Sequence, residues 1–306
     1  MKQALLEIVV LFIIMGCGLV LGKRNLIDER MSNKMSTLVL SFTFPLLIIS
    51  SMDREFDRSM FRNSVILVAF SAIICLVLLL IIELEVRLRK NPPDTMSVRH
   101  FTTMFGNASF MGIPVLSALY GADGVFYAAV MNVVFNFFMF SYGIFILCRS
   151  QHPNLRKIFL NPGFLGTVIG LVLFLTPLSL PYVLSRPISW CGEMTIPLAL
   201  LVAGSIVSRN KLREIVRPAS VWYTSLIRIA LFPAVMIPVL LVLKVEPYLI
   251  SMLVIVFATP APLTAGAFAN TYGGNAFFAS KVVVLSNLLS LITMPILIFI
   301  FTTLVV

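Results

Sequence analysis

The chain has 306 residues, of which 59% are hydrophobic and only 12% charged, with a formal net charge of +10 at pH 7. Soluble globular domains carry about 25% charged residues, so an ordinary soluble enzyme is excluded and a polytopic membrane protein is expected. A nucleic-acid binder is excluded too, because Lys and Arg sit in short gaps between apolar blocks, where they orient membrane helices.

The opening stretch, MKQALLEIVVLFIIMGCGLVLGKR, has the outline of a secretory signal. Its apolar run is long for one and hydrophobic segments continue to Val306, so a retained first helix is expected. Ten spans follow in order, at 4–21, 34–52, 62–82, 100–120, 125–147, 160–181, 188–207, 218–243, 248–269 and 276–303. Strands are not expected, since the apolar runs are long and do not alternate, and a helix satisfies its own backbone in lipid. The second span contains FPLLIIS at Phe44–Ser50. The fourth is broken by NASFMGIPVLSALYG at Asn107–Gly121, and the fifth places Asn132 and Asn136 on one face. The sixth follows Asn161-Pro162-Gly163, and the seventh carries IPLALLVAG at Ile196–Gly204. Arg228 lies inside the eighth. The ninth is broken by ATPAPLTAGAFANTYGG at Ala258–Gly274, and the tenth carries Ser280, Lys281, Asn287 and Thr293.

With the N-terminus outside, the inside gaps hold Lys23, Arg24, Arg30, Lys34, Arg87, Arg89, Lys90, Arg99, Arg149, Arg156, Lys157, Arg209, Lys211, Arg213 and Arg217. The outside holds only Lys2, Arg54, Arg58, Arg62, Arg186 and Lys244. The bias puts both termini on the non-cytoplasmic side of the membrane.

The prolines of the second and seventh spans, and the polar breaks of the fourth and ninth, fall at matching places in two halves, 1–155 and 156–306. An odd number of spans per half inverts the second half. The expected fold is therefore all-α, with ten transmembrane helices in two inverted repeats of five and broken crossing helices four and nine.

Pro114 lacks an N–H and crowds the carbonyl four residues earlier. Gly112 permits an unusual turn, and Pro260 and Pro262 break the second half in the same way. Interrupted spans leave free carbonyls and N–H groups, which are costly in hydrocarbon unless protein, water or a solute satisfies them. Positive helix ends favour an anion there. Asn107, Ser109, Asn132, Asn136, Thr264 and Asn270 are candidate neutral contacts, against the alternative that each joins helices. Lys281 either neutralises a substrate carboxylate or snorkels to the surface. Arg228 either serves the site, pairs with a carboxylate such as Glu193, or reaches the surface.

No Walker loop, His/Asp/Ser constellation or acidic pair is present, so an enzyme is not expected. The four cysteines form no CxxC pair and there are only two histidines, so neither a metal nor another cofactor is expected. Coupling to a proton or to sodium is left open.

NASFMGIP at Asn107–Pro114 resembles the fourth-helix motif of the auxin efflux carrier family, the bacterial relatives of plant PIN-type carriers. Pro260, Ala269, Tyr272 and Gly273 resemble its ninth-helix region, and Asn161-Pro162-Gly163 and the string Pro197–Gly204 resemble bacterial members. The resemblance implies a scaffold of helices 1, 2, 6 and 7 and a transport bundle of helices 3, 4, 5, 8, 9 and 10. It implies a crossing at Pro114 and Pro260, an elevator-like movement, and Asn107 near the substrate. It also implies export or exchange of small organic carboxylates. Lys281 has no counterpart in the motif. The resemblance to bacterial members implies a bacterial cytoplasmic (inner) membrane; membrane lipids are the expected surroundings, a homodimer is admitted and nucleic acid is excluded. Two other readings stay open: a sodium- or proton-coupled organic anion importer, and a membrane ligand sensor or scaffold that moves nothing.

Overall fold

The computed structural model describes residues 2–88, 95–148, 159–209, 215 and 218–305, and every regular element among them is helical. We label the helices α1 (Lys2–Lys23), α2 (Glu29–Met52), α3 (Arg58–Leu88), α4 (Met96–Met104), α5 (Ile113–Phe138), α6 (Ile144–Cys148), α7 (Pro162–Leu175), α8 (Tyr182–Ser208), α9 (Ala219–Val242), α10 (Pro247–Phe257), α11 (Ala265–Tyr272) and α12 (Ala276–Val305). Arg89, Lys90, Asp94, Arg149, Arg156, Lys157, Lys211, Arg213 and Arg217, with the expected repeat boundary at 155, lie outside the described residues.

The expected ten transmembrane helices in two inverted repeats of five are corrected by the structure. Among the described residues six helical stretches are long and apolar enough to cross a membrane: Glu29–Met52, Arg58–Leu88, Met96–Leu147, Tyr182–Ser208, Ala219–Val242 and Ala276–Phe301. Three more apolar helices are shorter, namely Val9–Lys23, Pro162–Leu175 and Pro247–Phe257. The cause lies in the backbone. The expected fourth and fifth spans fall in one 52-residue stretch, Met96–Leu147, turned at Gly121, whose φ of 59° suits a residue without Cβ. The expected ninth span is cut into α10, 11 residues long, and α11, 8 residues long.

Proline shapes the long helices in a second way. Wide π turns occupy Val39–Thr43, Ala108–Gly112 and Ile227–Leu231, and each is followed two residues later by a proline, Pro45, Pro114 and Pro233. A proline ring crowds the carbonyl four residues earlier and offers no donor to it. A turn with one extra residue moves that carbonyl away and lets the helix continue.

The chain divides into two compact units. Unit 1 comprises Met1–Leu67, Ser109–Val133 and Arg156–Arg209. Within it α1 lies so close to α8 that a Cβ on Gly204 would meet the Leu19 nitrogen at 2.7 Å, the small-residue packing that lets helices associate in lipid. Asn161 caps α7, its Oδ1 accepting from the N–H groups of Gly163 at 2.9 Å and Phe164 at 3.3 Å, with Pro162 at the first helical position. Asp53 secures the turn after α7 by accepting from the Leu180 N–H at 3.1 Å and the Ser185 hydroxyl at 3.2 Å. Asp123, just past the Gly121 turn, pairs with Arg54.

Unit 2 comprises Val68–Ala108, Val134–Leu155 and Asn210–Val306. Its core is α10, where every residue from Leu249 to Phe257 is buried. Along α3, Ile73, Leu80, Ile81, Leu84 and Leu88 are exposed, the apolar face a bilayer covers.

Candidate functional site

Unit 2 holds two interruptions of the helical path, at Phe105–Asn107 and at Ala258–Thr264. The first begins where α4 ends at Met104. Phe105 is extended at φ −103° and ψ 135°, and the helix resumes only at the π turn Ala108–Gly112. The second runs from Ala258 to Thr264, between α10 and α11. They touch directly, the Asn107 backbone N–H donating to the Pro260 carbonyl at 2.8 Å. The Ser286 hydroxyl of α12 accepts from the Ala261 N–H at 3.1 Å, which satisfies a second break donor.

Carbonyls at the ends of α4 and α10 would otherwise be orphaned in an apolar interior. Arg228 meets them. It rises from the π turn of α9 and is fully buried. Its Nε donates to the Thr259 carbonyl at 3.0 Å, and its Nη1 to the carbonyls of Thr103 at 2.9 Å and Met104 at 3.2 Å. One guanidinium therefore caps two helix C-termini, whose partial negative charge attracts a cation. Only a flat fork with several donors spans both ends. Nη2 has no hydrogen-bond partner among the described residues and packs against Gly106, where a Cβ would overlap both Nη2 and the Thr259 hydroxyl. Among the described residues no carboxylate pairs with Arg228. Glu193, the partner considered from the sequence, is exposed in unit 1 and accepts from Ser189 at 2.9 Å.

The structure gathers some predicted residues and disperses others. Asn107, Pro260 and Pro262 are buried at the breaks. Thr264 stands half-buried before α11 and makes no side-chain cap bond, while Asn270 is exposed on α11. Asn136 is buried in unit 2. Lys281 is half-buried, its Nζ 4.0 Å from the ring centroid of Phe277 one helical turn earlier. Phe277 is itself exposed, so the lysine stem runs along the outer side of α12. Ser109, Gly112, Pro114 and Asn132 fall in unit 1. Pro114 does not mark the first break. It sits in the first turn of α5, and the break lies upstream at Phe105–Asn107.

Sequence reasoning missed the cap made by Arg228, the close approach at Gly106 and the anchor at Ser286. The signal for the first was an arginine in an otherwise apolar run, SLIRIALFP, with a proline five residues on. A charge there needs internal partners, but nothing local says that they are carbonyls.

The chain is helical and multi-span, with a polar junction buried inside one unit. Comparison with protein families gives the class. The profile of a family described as Membrane transport protein matches residues 3–155 and 149–298. This chain belongs to the Membrane transport protein family. Its members are transporters and not enzymes. No curated protein matches this Membrane transport protein family member.

Proposed function

We propose that the chain is a secondary carrier of small organic anions in a cytoplasmic membrane, exporting or exchanging them, with the substrate held at the junction of the two breaks. The observation that carries this reading is Arg228. It is a fully buried cation met by three carbonyls, with no paired carboxylate among the described residues. Carbonyl dipoles ease the desolvation of a guanidinium but leave its charge in place. A negatively charged guest near Asn107 completes that charge, which a cation or a neutral solute does not.

The resemblance of NASFMGIP to the auxin efflux carriers supports carboxylates as the substrate class, from indole acids to small dicarboxylates. An elevator-like step fits a chain with two compact units of which one carries the junction. Residues 4–21, 34–52, 160–181 and 188–207, assigned to a scaffold, all belong to unit 1. Ser109–Val133, assigned to the moving part, belongs to unit 1 as well, so the moving body in this reading is unit 2.

A counterflow screen of carboxylates in proteoliposomes tests the proposal. Exchange of a labelled acid, dependent on the protein and competed by related acids, is expected. Acids that bind the purified chain but never cross sealed vesicles would instead make it a sensor. Equal transport of neutral or cationic analogues would overturn the anion assignment.

A further inference from the structure

Residues 63–82 of α3 carry no charge, and charged side chains resume at Glu83, Glu85 and Arg87. At about 1.5 Å per residue the uncharged run measures roughly 30 Å, the thickness of a hydrocarbon core. Glu83 therefore stands at the depth where lipid headgroups begin. A cavity of about 310 Å³ lies against it, within unit 2. Val86 of α3 and Phe145 of α6 belong to its apolar wall, and Glu83, Ser97 and Tyr142 give it a polar end. Phe145 is also exposed, so the cavity reaches the outer face. Leu80, Leu84 and Leu88 of α3 are exposed there, and lipid covers such a face.

The charges at this end of α3 are unevenly matched. Glu85 is engaged by Arg99 and lies 3.1 Å from His100. Glu83 and Arg87 stand four residues apart with the acid first, the favoured order for an ion pair on one helix. That pair does not form, and among the described residues neither side chain has an oppositely charged partner. The Glu83 carboxylate accepts instead from the Tyr142 hydroxyl through Oε1. A phenol fills one acceptor position and leaves the negative charge in place. Arg87 is exposed in the last turn of α3. A carboxylate beside an apolar cavity, one turn from an arginine, matches a ligand with a cation, an anion and a hydrocarbon tail.

We propose that this cavity seats the headgroup of an ethanolamine phospholipid. Its ammonium meets Glu83, its phosphate meets Arg87, and its chains lie along the exposed leucines of α3. Two methylenes separate ammonium from phosphate ester in that headgroup, which suits partners one helical turn, about 5.4 Å, apart. A primary ammonium brings three donors, for the second Glu83 oxygen, the Ser97 hydroxyl and the Tyr142 oxygen. The cavity is at the small end of ligand sites, which span roughly 300–1,000 Å³, so it takes a headgroup and not a whole lipid. A choline headgroup has no N–H to donate, a glycerol headgroup has no positive charge, and a serine headgroup adds a carboxylate that Glu83 repels. The inference stands apart from the carrier reading, because it concerns binding and not transport.

Native mass spectrometry of the full chain, released from detergent micelles, reads the bound lipid directly. The protein is offered equal amounts of lipids with the same chains and ethanolamine, choline or glycerol headgroups. Wild-type protein is expected to retain the ethanolamine lipid about tenfold above the other two, and Glu83→Gln to bring the three within about twofold. Equal retention by wild-type protein, preference for another headgroup, or a preference unchanged in Glu83→Gln overturns the proposal. If Glu83→Gln fails to fold, wild-type protein decides, with ethanolamine lipids methylated once, twice and three times on nitrogen. Retention that falls as N–H groups are removed supports the proposal, and retention indifferent to methylation refutes it.

Discussion

Replacing Arg228 by methionine keeps much of the stem volume and removes the guanidinium. Three buried carbonyls, those of Thr103, Met104 and Thr259, then lose their donor. Each orphaned carbonyl costs about 1–3 kcal/mol, so the gross loss is roughly 3–9 kcal/mol. The loss is partly offset because the desolvation of a buried cation, several kcal/mol, is no longer incurred. A net destabilisation of about 3 kcal/mol follows, which at about 2–4 °C per kcal/mol lowers the apparent melting temperature by roughly 6–12 °C. Heating the purified protein in detergent, then measuring the monodisperse fraction by size-exclusion chromatography, reads this shift. Arg228→Lys should fall between, because a point charge on a flexible stem cannot hold two helix ends at once. Counterflow should be lost in Arg228→Met even at temperatures where the variant stays folded. A variant that melts within about 1 °C of the parent and exchanges acids normally would refute the reasoning about both the cap and the anion site.

Other substitutions separate the roles. Gly106→Ala places a methyl against the guanidinium and the Thr259 hydroxyl, and a loss of about 1–3 kcal/mol with reduced counterflow is expected. Asn107→Ala keeps the backbone N–H that meets Pro260. Thermal stability should therefore hold while substrate affinity, measured by calorimetric titration, falls about tenfold, or about 1.4 kcal/mol. Lys281→Ala removes a side chain that lies over the exposed Phe277 ring, so affinity should stay within about twofold, the outcome of an interfacial lysine.

Much of this molecule is legible in its sequence, for identifiable reasons. Apolar run length and the absence of alternation gave helices in a membrane, because the bilayer admits few other solutions. The break at Pro260 and Pro262 was legible because proline, glycine and polar residues in such a run leave backbone groups that need partners. The Asn107 N–H answers that need at the Pro260 carbonyl. The count of spans was not legible. Hydropathy at Met96–Leu147 cannot tell a turn at Gly121 from a longer helix, and it does not show that α10 stops after 11 residues. Pro114 was misplaced because a proline signals that something nearby gives way without saying where. At that site a wide turn absorbed the strain, and the chain opened upstream at Phe105. The partners of Arg228 were hidden for a different reason. Carbonyls at helix ends have no residue signature and become specific only through the fold, two of them here more than a hundred residues from Arg228 in the chain.

The wide turns before Pro45, Pro114 and Pro233 also change the angular phase of their helices. Each holds one residue more than an α-turn, and a residue is worth about 100° of azimuth. Side chains beyond the turn are therefore rotated by that amount from where a helical wheel drawn through the whole segment would put them. Deleting any one residue from Val39–Thr43 would undo the rotation and swing the face that α2 presents to α7, where Phe44 and Pro45 meet Gly163 and Gly166, out of alignment, although hydropathy and length would hardly change.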